Sequence, residues 1–144
     1  MNDKHNSESE PRHFAAIDLG SNSFHMLVVR QLHDDVQQLF KHKERVRLAE
    51  GLDAKNNLSE EAIERGVSVL KTFAEQLTPF PNCTVRVVGT HTLRIAKNRS
   101  EFLASARQVF PYPIEIISGQ EEARLVHLGV SSSEHLAEGI IIRC

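Results

Sequence analysis

Residues Phe14 to Arg30 constrain this chain more than any other stretch. Two apolar runs, Phe14–Leu19 and Phe24–Val29, flank the polar turn Gly20-Ser21-Asn22-Ser23. Apolar runs this short, bounded by Gly, Ser and Asn, predict two strands joined as a hairpin. Gly20 accepts a positive φ, and Asn22 tolerates one better than most residues, so either is expected to carry the turn.

A turn of small residues can aim several backbone N–H groups at one point, and such concavities bind anions. Asp18 stands just before this one. A carboxylate beside a bound phosphate is repulsive unless a cation lies between them, which points to a hard ion such as Mg²⁺. From these residues alone, a plain hairpin with Asp18 capping its own turn fits as well.

Composition bounds the alternatives. The chain has 144 residues, enough for one domain with a core, and 25% charged residues with a net charge of −2. Any anion site must therefore come from local clustering of positive groups. No apolar run approaches the ~18 residues that span a bilayer. Residues 1–13 are polar, lack a signal-type apolar segment, and are expected to form a disordered tail ahead of a lobe over 14–144. Cys83 and Cys144 fit no metal spacing, so a cytoplasmic location is the default expectation.

Further along, Val36–Leu48 reads as a third strand. Lys41, Lys43, Arg45 and Arg47 recur at every second position and are expected on one face, spanning roughly 20 Å. They form either a charged, aggregation-resistant edge or a track for an extended polyanion. Ser59 is a helix N-cap followed by Glu60 and Glu61, and Ile63, Val67, Leu70, Phe73 and Leu77 make one apolar stripe. Thr84–Gly89 is a buried strand. Thr90-His91-Thr92-Leu93-Arg94 suits an anion site at a helix start, though from the residues alone a surface pair between Arg94 and a carboxylate is the commoner arrangement. Asn98 and Glu101 have capping-box spacing for a helix to Phe110, and Ile114–Ile117 is a short strand. Ser118 and Glu121 also have that spacing, so Glu121 either bonds a backbone N–H or, ionised at a helix start, accepts a proton. Gly139–Cys144 reads as the start of another buried strand.

Asp-Leu-Gly-Ser-Asn-Ser between apolar strands, together with Ser-Gly-Gln-Glu-Glu-Ala-Arg-Leu, resembles the exopolyphosphatase/guanosine pentaphosphate phosphohydrolase family. The resemblance runs from about Phe14 to about Ile142. It implies an α/β fold: a ribonuclease H-like lobe of the actin-like ATPase superfamily, a mixed sheet flanked by helices. It implies hydrolysis of terminal phosphoanhydride bonds of inorganic polyphosphate with Mg²⁺. Glu121 would be the catalytic base, Gly20, Ser21, Asn22, Ser23 and Arg94 would bind substrate, and Asp18 would support the metal. Guanosine pentaphosphate hydrolysis is the sister activity; a non-catalytic polyanion-binding module is the alternative of another class, and an actin-like assembly lobe a third. No nucleic acid is expected, while a homodimer and peripheral membrane association are compatible with the full-length family. The family continues into a glycine-rich second phosphate loop whose leading Asp falls where Arg143 stands. The resemblance thus implies a lobe that stops before the second lobe, little hydrolysis by this chain alone, and an exposed apolar edge at Ile140–Ile142.

Overall fold

The computed structural model describes residues 10–128 and 135–143. Most of the expected tail, the polar loop after Val130 and Cys144 lie outside the described residues. Five strands, β1 (Arg12–Leu19), β2 (Ser23–Leu32), β3 (Asp35–Arg45), β4 (Thr84–Gly89) and β5 (Ile114–Ile116), form one sheet in the order β3-β2-β1-β4-β5. The helices are α1 (Glu60–Leu77), α2 (His91–Ile95), α3 (Arg99–Arg107), α4 (Gly119–Leu128) and α5 (His135–Arg143). β1 pairs antiparallel with β2 and parallel with β4, and β4 pairs parallel with β5. This is the expected mixed sheet flanked by helices.

Alternation along β1 builds two cores. Ala15, Ile17 and Leu19 join Phe24, Met26 and Val28 against Leu70, Phe73 and Phe102 of α1 and α3. Ala16 joins Leu27, Val29 and Val88 against Leu125 and Ile140 of α4 and α5. Asp18 shares the parity of Ala16, so it belongs to the second face. α1 starts as its sequence predicts: Ser59 Oγ accepts from the Ala62 N–H at 3.1 Å.

Four expectations change. Residues 139–143 do not begin a strand, because Leu136, Ala137 and Ile140 lie on one helical face and pack on the sheet. A short apolar run suits either state, and spacing alone does not separate them. Ile140 is consequently buried, and of the expected apolar edge only Ile142 is well exposed, at 59%. Arg47 leaves the cation row: β3 ends at Arg45, and Arg47 is left-handed at φ 55°. Asn98 makes no cap hydrogen bond; its side chain instead joins the Leu58 backbone at N–H and C=O (2.7 and 2.9 Å). Neither Gly20 nor Asn22 has a positive φ. Gly20 is required for closeness instead, since a Cβ there would lie 3.0 Å from Ser23 O.

Candidate functional site at the strand ends

β1, β4 and β5 run parallel, so their carboxyl ends lie at one edge of the sheet, where ligands of open α/β sheets bind. Three connections meet there. Thr90 N–H donates to Leu19 O (3.3 Å) and Ile117 N–H to Gly89 O (3.1 Å), which locks each loop to its neighbouring strand. The buried Thr92 hydroxyl donates to Ser21 Oγ at 2.7 Å, tying the start of α2 to the first turn. Arg94 closes the group: Nη1 donates to Ile117 O at 2.7 Å, and both Nη atoms reach Glu122 Oε1 at 3.4 Å.

The turn itself divides its donors. Gly20 N–H is used within the turn, on Ser23 O at 3.1 Å. The N–H groups of Ser21 and Asn22 donate to no partner among the described residues. Their carbonyls do have partners: Ser21 O accepts from Ala49 N–H, and Asn22 O from Val46 and Arg47 N–H. The loop is thus held by its acceptors while two donors remain available, the polarity an anion needs.

Two oxygens beside the turn are buried without a hydrogen-bond partner among the described residues, Asp18 Oδ1 and Ser23 Oγ. Buried polar atoms normally find partners, so such atoms invite a ligand. Burial pushes the Asp18 carboxyl up to about 7, and the nearby charge of Glu122 adds to the rise. His25 faces Asp18 across the β1–β2 ladder, with Nδ1 3.7 Å from Oδ2.

A divalent cation fits the Asp18 position in two respects. An orphaned buried carboxylate oxygen is the hard donor that Mg²⁺ takes, and a cation would relieve two carboxylates held close together. Asp18 would be only part of the ligand set: among the described residues no group of three or more His, Cys, Asp or Glu is placed to hold a metal.

The neighbouring glutamates have separate roles in this arrangement. Glu121 N–H donates to Ser118 Oγ at 3.0 Å, which is half of the expected capping box. The Glu121 carboxylate is engaged by Arg124 (3.2 Å) and Arg143 (4.0 Å), with Oε1 buried and no hydrogen bond of good geometry. Glu122 carries the contact with Arg94 and the field on Asp18. Of the residues the sequence nominates, the structure gathers Asp18, Ser21, Asn22, Ser23 and Arg94, with Gly20 closing their turn. Sequence reasoning missed Glu122 and His25. His25 was legible, because a turn between Leu19 and Phe24 sets it opposite Asp18. The Glu122–Arg94 pair was not, because 28 residues separate its members.

Comparison with known proteins adds the following. A model of the Ppx/GppA phosphatase family matches residues 27–143. A Haemophilus influenzae protein named "Putative exopolyphosphatase" is 53% identical over 140 residues, covering 93% of this chain and 42% of that protein. The crystal structure of an exopolyphosphatase from Cytophaga hutchinsonii superposes with a TM-score of 0.79 at 29% identity, over 83% of this chain and 38% of its own. The Aquifex aeolicus PPX-GPPA enzyme gives 0.78 at 26% identity, over 85% and 41%. The chain therefore spans less than half the length of these relatives.

Proposed function

The chain belongs to the Ppx/GppA phosphatase family, and we propose that it forms one wall of a site hydrolysing the terminal phosphoanhydride bond of inorganic polyphosphate. One observation carries this reading: the orphaned Asp18 Oδ1 and Ser23 Oγ stand beside a turn with two available N–H donors, and Glu122, the partner of Arg94, is near enough to act on Asp18.

In this reading Ser21 and Asn22 N–H and the Ser23 hydroxyl hold terminal phosphate oxygens. Arg94 neutralises their charge, its orientation set by Ile117 O. Water attacks the terminal phosphorus, the bridging P–O bond breaks, and the shortened chain leaves with the bond electrons. A carboxylate takes the water proton. Phosphoryl transfer depends mainly on positioning and charge neutralisation, so the best-placed base lies among the phosphate-binding groups. In this reading that base is Glu121, whose Oε1 is buried without a hydrogen-bond partner among the described residues, while Glu122 holds Arg94. Asp18 would hold Mg²⁺, which supplies charge stabilisation at the transferred phosphoryl group.

A form of the protein as long as its relatives provides the test, assayed for phosphate release from polyphosphate and from guanosine pentaphosphate side by side. Glu121→Gln is expected to cost ~10²–10⁴ in rate. A near-normal rate in that variant would exclude Glu121 as the base. Tight polyphosphate binding with no release from either substrate would leave a binding module instead. Separately, Mg²⁺ should raise the unfolding midpoint of the parent chain but not of Asp18→Asn.

A further inference from the structure

We propose that a cavity behind the site turn is a second anion site, taking the distal phosphates of a condensed phosphate chain. The cavity holds about 580 Å³, within the usual ~300–1,000 Å³ of small-molecule sites. Three arginines, Arg45, Arg47 and Arg65, line it together with two glutamates, Glu50 and Glu61.

The covalent path explains why these groups meet. β3 ends at Arg45, and the following backbone is pinned to the site turn through Val46 and Arg47 N–H on Asn22 O at 3.0 and 2.8 Å. The left-handed Arg47 turns the chain out of the strand. Arg65 arrives from α1 and is held by its own donors, Nε to Val46 O at 2.9 Å and Nη2 to Arg47 O at 3.1 Å. Among the described residues only Arg47 has an ion pair here, with Glu50 at 3.7 Å. Positive charge is thus concentrated and partly preorganised, and guanidinium groups suit phosphate oxygens in shape as well as sign.

The occupant is a chain rather than a single anion because the cavity is not isolated. Arg45 ends an exposed row that includes Lys43 one pleat earlier, and Lys43 is paired across the ladder with His25, itself opposite Asp18. The same Asn22 whose N–H faces no partner accepts the bonds that form the cavity wall. An extended polyanion entering the first site therefore has cationic surface beside it. The ligand class rests on the phosphatase reading; the existence of an anion site does not.

Calorimetric titration of the 144-residue chain with tripolyphosphate tests this, with folding checked by circular dichroism. Arg65 is left intact because it holds the backbone. The double variant Arg45→Gln/Arg47→Gln should weaken binding about tenfold, equivalent to ~1.4 kcal/mol. The exposed Lys71→Gln, removing a charge elsewhere on α1, should change it less than twofold. In an Arg94→Gln background the double variant should still cost about tenfold, since independent sites add. No binding by the parent chain, or a double variant no weaker than Lys71→Gln, overturns the proposal. If only the phosphatase reading fails, the tenfold loss stands while the longer form releases no phosphate; if only this site fails, release persists and the double variant binds like the parent.

Discussion

The two faces of the sheet are built differently. The face under α1 and α3 carries Phe24, Phe73, Phe102 and Phe110 in one continuous cluster of large side chains. The face under α4 and α5 is smaller, with Ala16, Ala137, Val88 and Leu125 at its centre, and Asp18 shares its parity. One face supplies stability through buried apolar area. The other gives up some of that area, which leaves one carboxylate oxygen and one hydroxyl buried without a hydrogen-bond partner among the described residues at its end. Sites gain reactivity from such incompletely satisfied groups at a cost in folding free energy.

That contrast can be broken by measurement. The largest effect is expected at Phe102, whose ring meets Phe24 edge-on with centroids 6.5 Å apart. Phe102→Ala should cost about 3–5 kcal/mol in urea unfolding. A cost under ~1 kcal/mol would deny that this face dominates stability.

Asp18 should act in the opposite sense. Its carboxyl is raised from 3.8 to about 7, so between those values the folded chain binds more protons than the unfolded one. Stability from this group is then highest below about pH 4 and falls as pH rises to about 7. The loss is at most about 4 kcal/mol at 1.36 kcal/mol per unit. In EDTA, Asp18→Asn should flatten that slope and raise stability at pH 8. A variant less stable than the parent at pH 8 would show that Asp18 is satisfied in the fold.

Gly139 tests how the second face is closed. A Cβ there would lie 1.7 Å from Leu125 O, a backbone atom that cannot swing aside. Gly139→Ala should cost about 1–3 kcal/mol and speed amide exchange mainly within α5. Uniformly faster exchange would place α5 in the main cooperative unit. The smallest effect is expected at Arg86–Glu115, a largely solvated pair at 3.3 Å. Arg86→Gln should change stability by less than ~1 kcal/mol, and less still at high salt.

Much of this was legible in local patterns. The Phe14–Val29 hairpin, the Ser59 cap with its stripe to Leu77, and the Val-rich β4 all follow from periodicity and short-range hydrogen bonding. Those signals fail where two local solutions compete. Asn98 has the spacing of a cap, yet its amide binds the Leu58 backbone 40 residues away. The residues 139–143 are apolar enough for a strand, yet close contact between Gly139 and Leu125 makes a helix the better packing.

By itself, the order of residues determined the strands, the principal helix and the chemical types gathered near the first turn, because these depend on neighbours within about one turn or one pleat. Tertiary structure alone decided which glutamate meets Arg94, which N–H groups of the turn remain available, and where Arg47 points. Each of those depends on groups brought together from distant parts of the chain, and no local periodicity encodes such a distance.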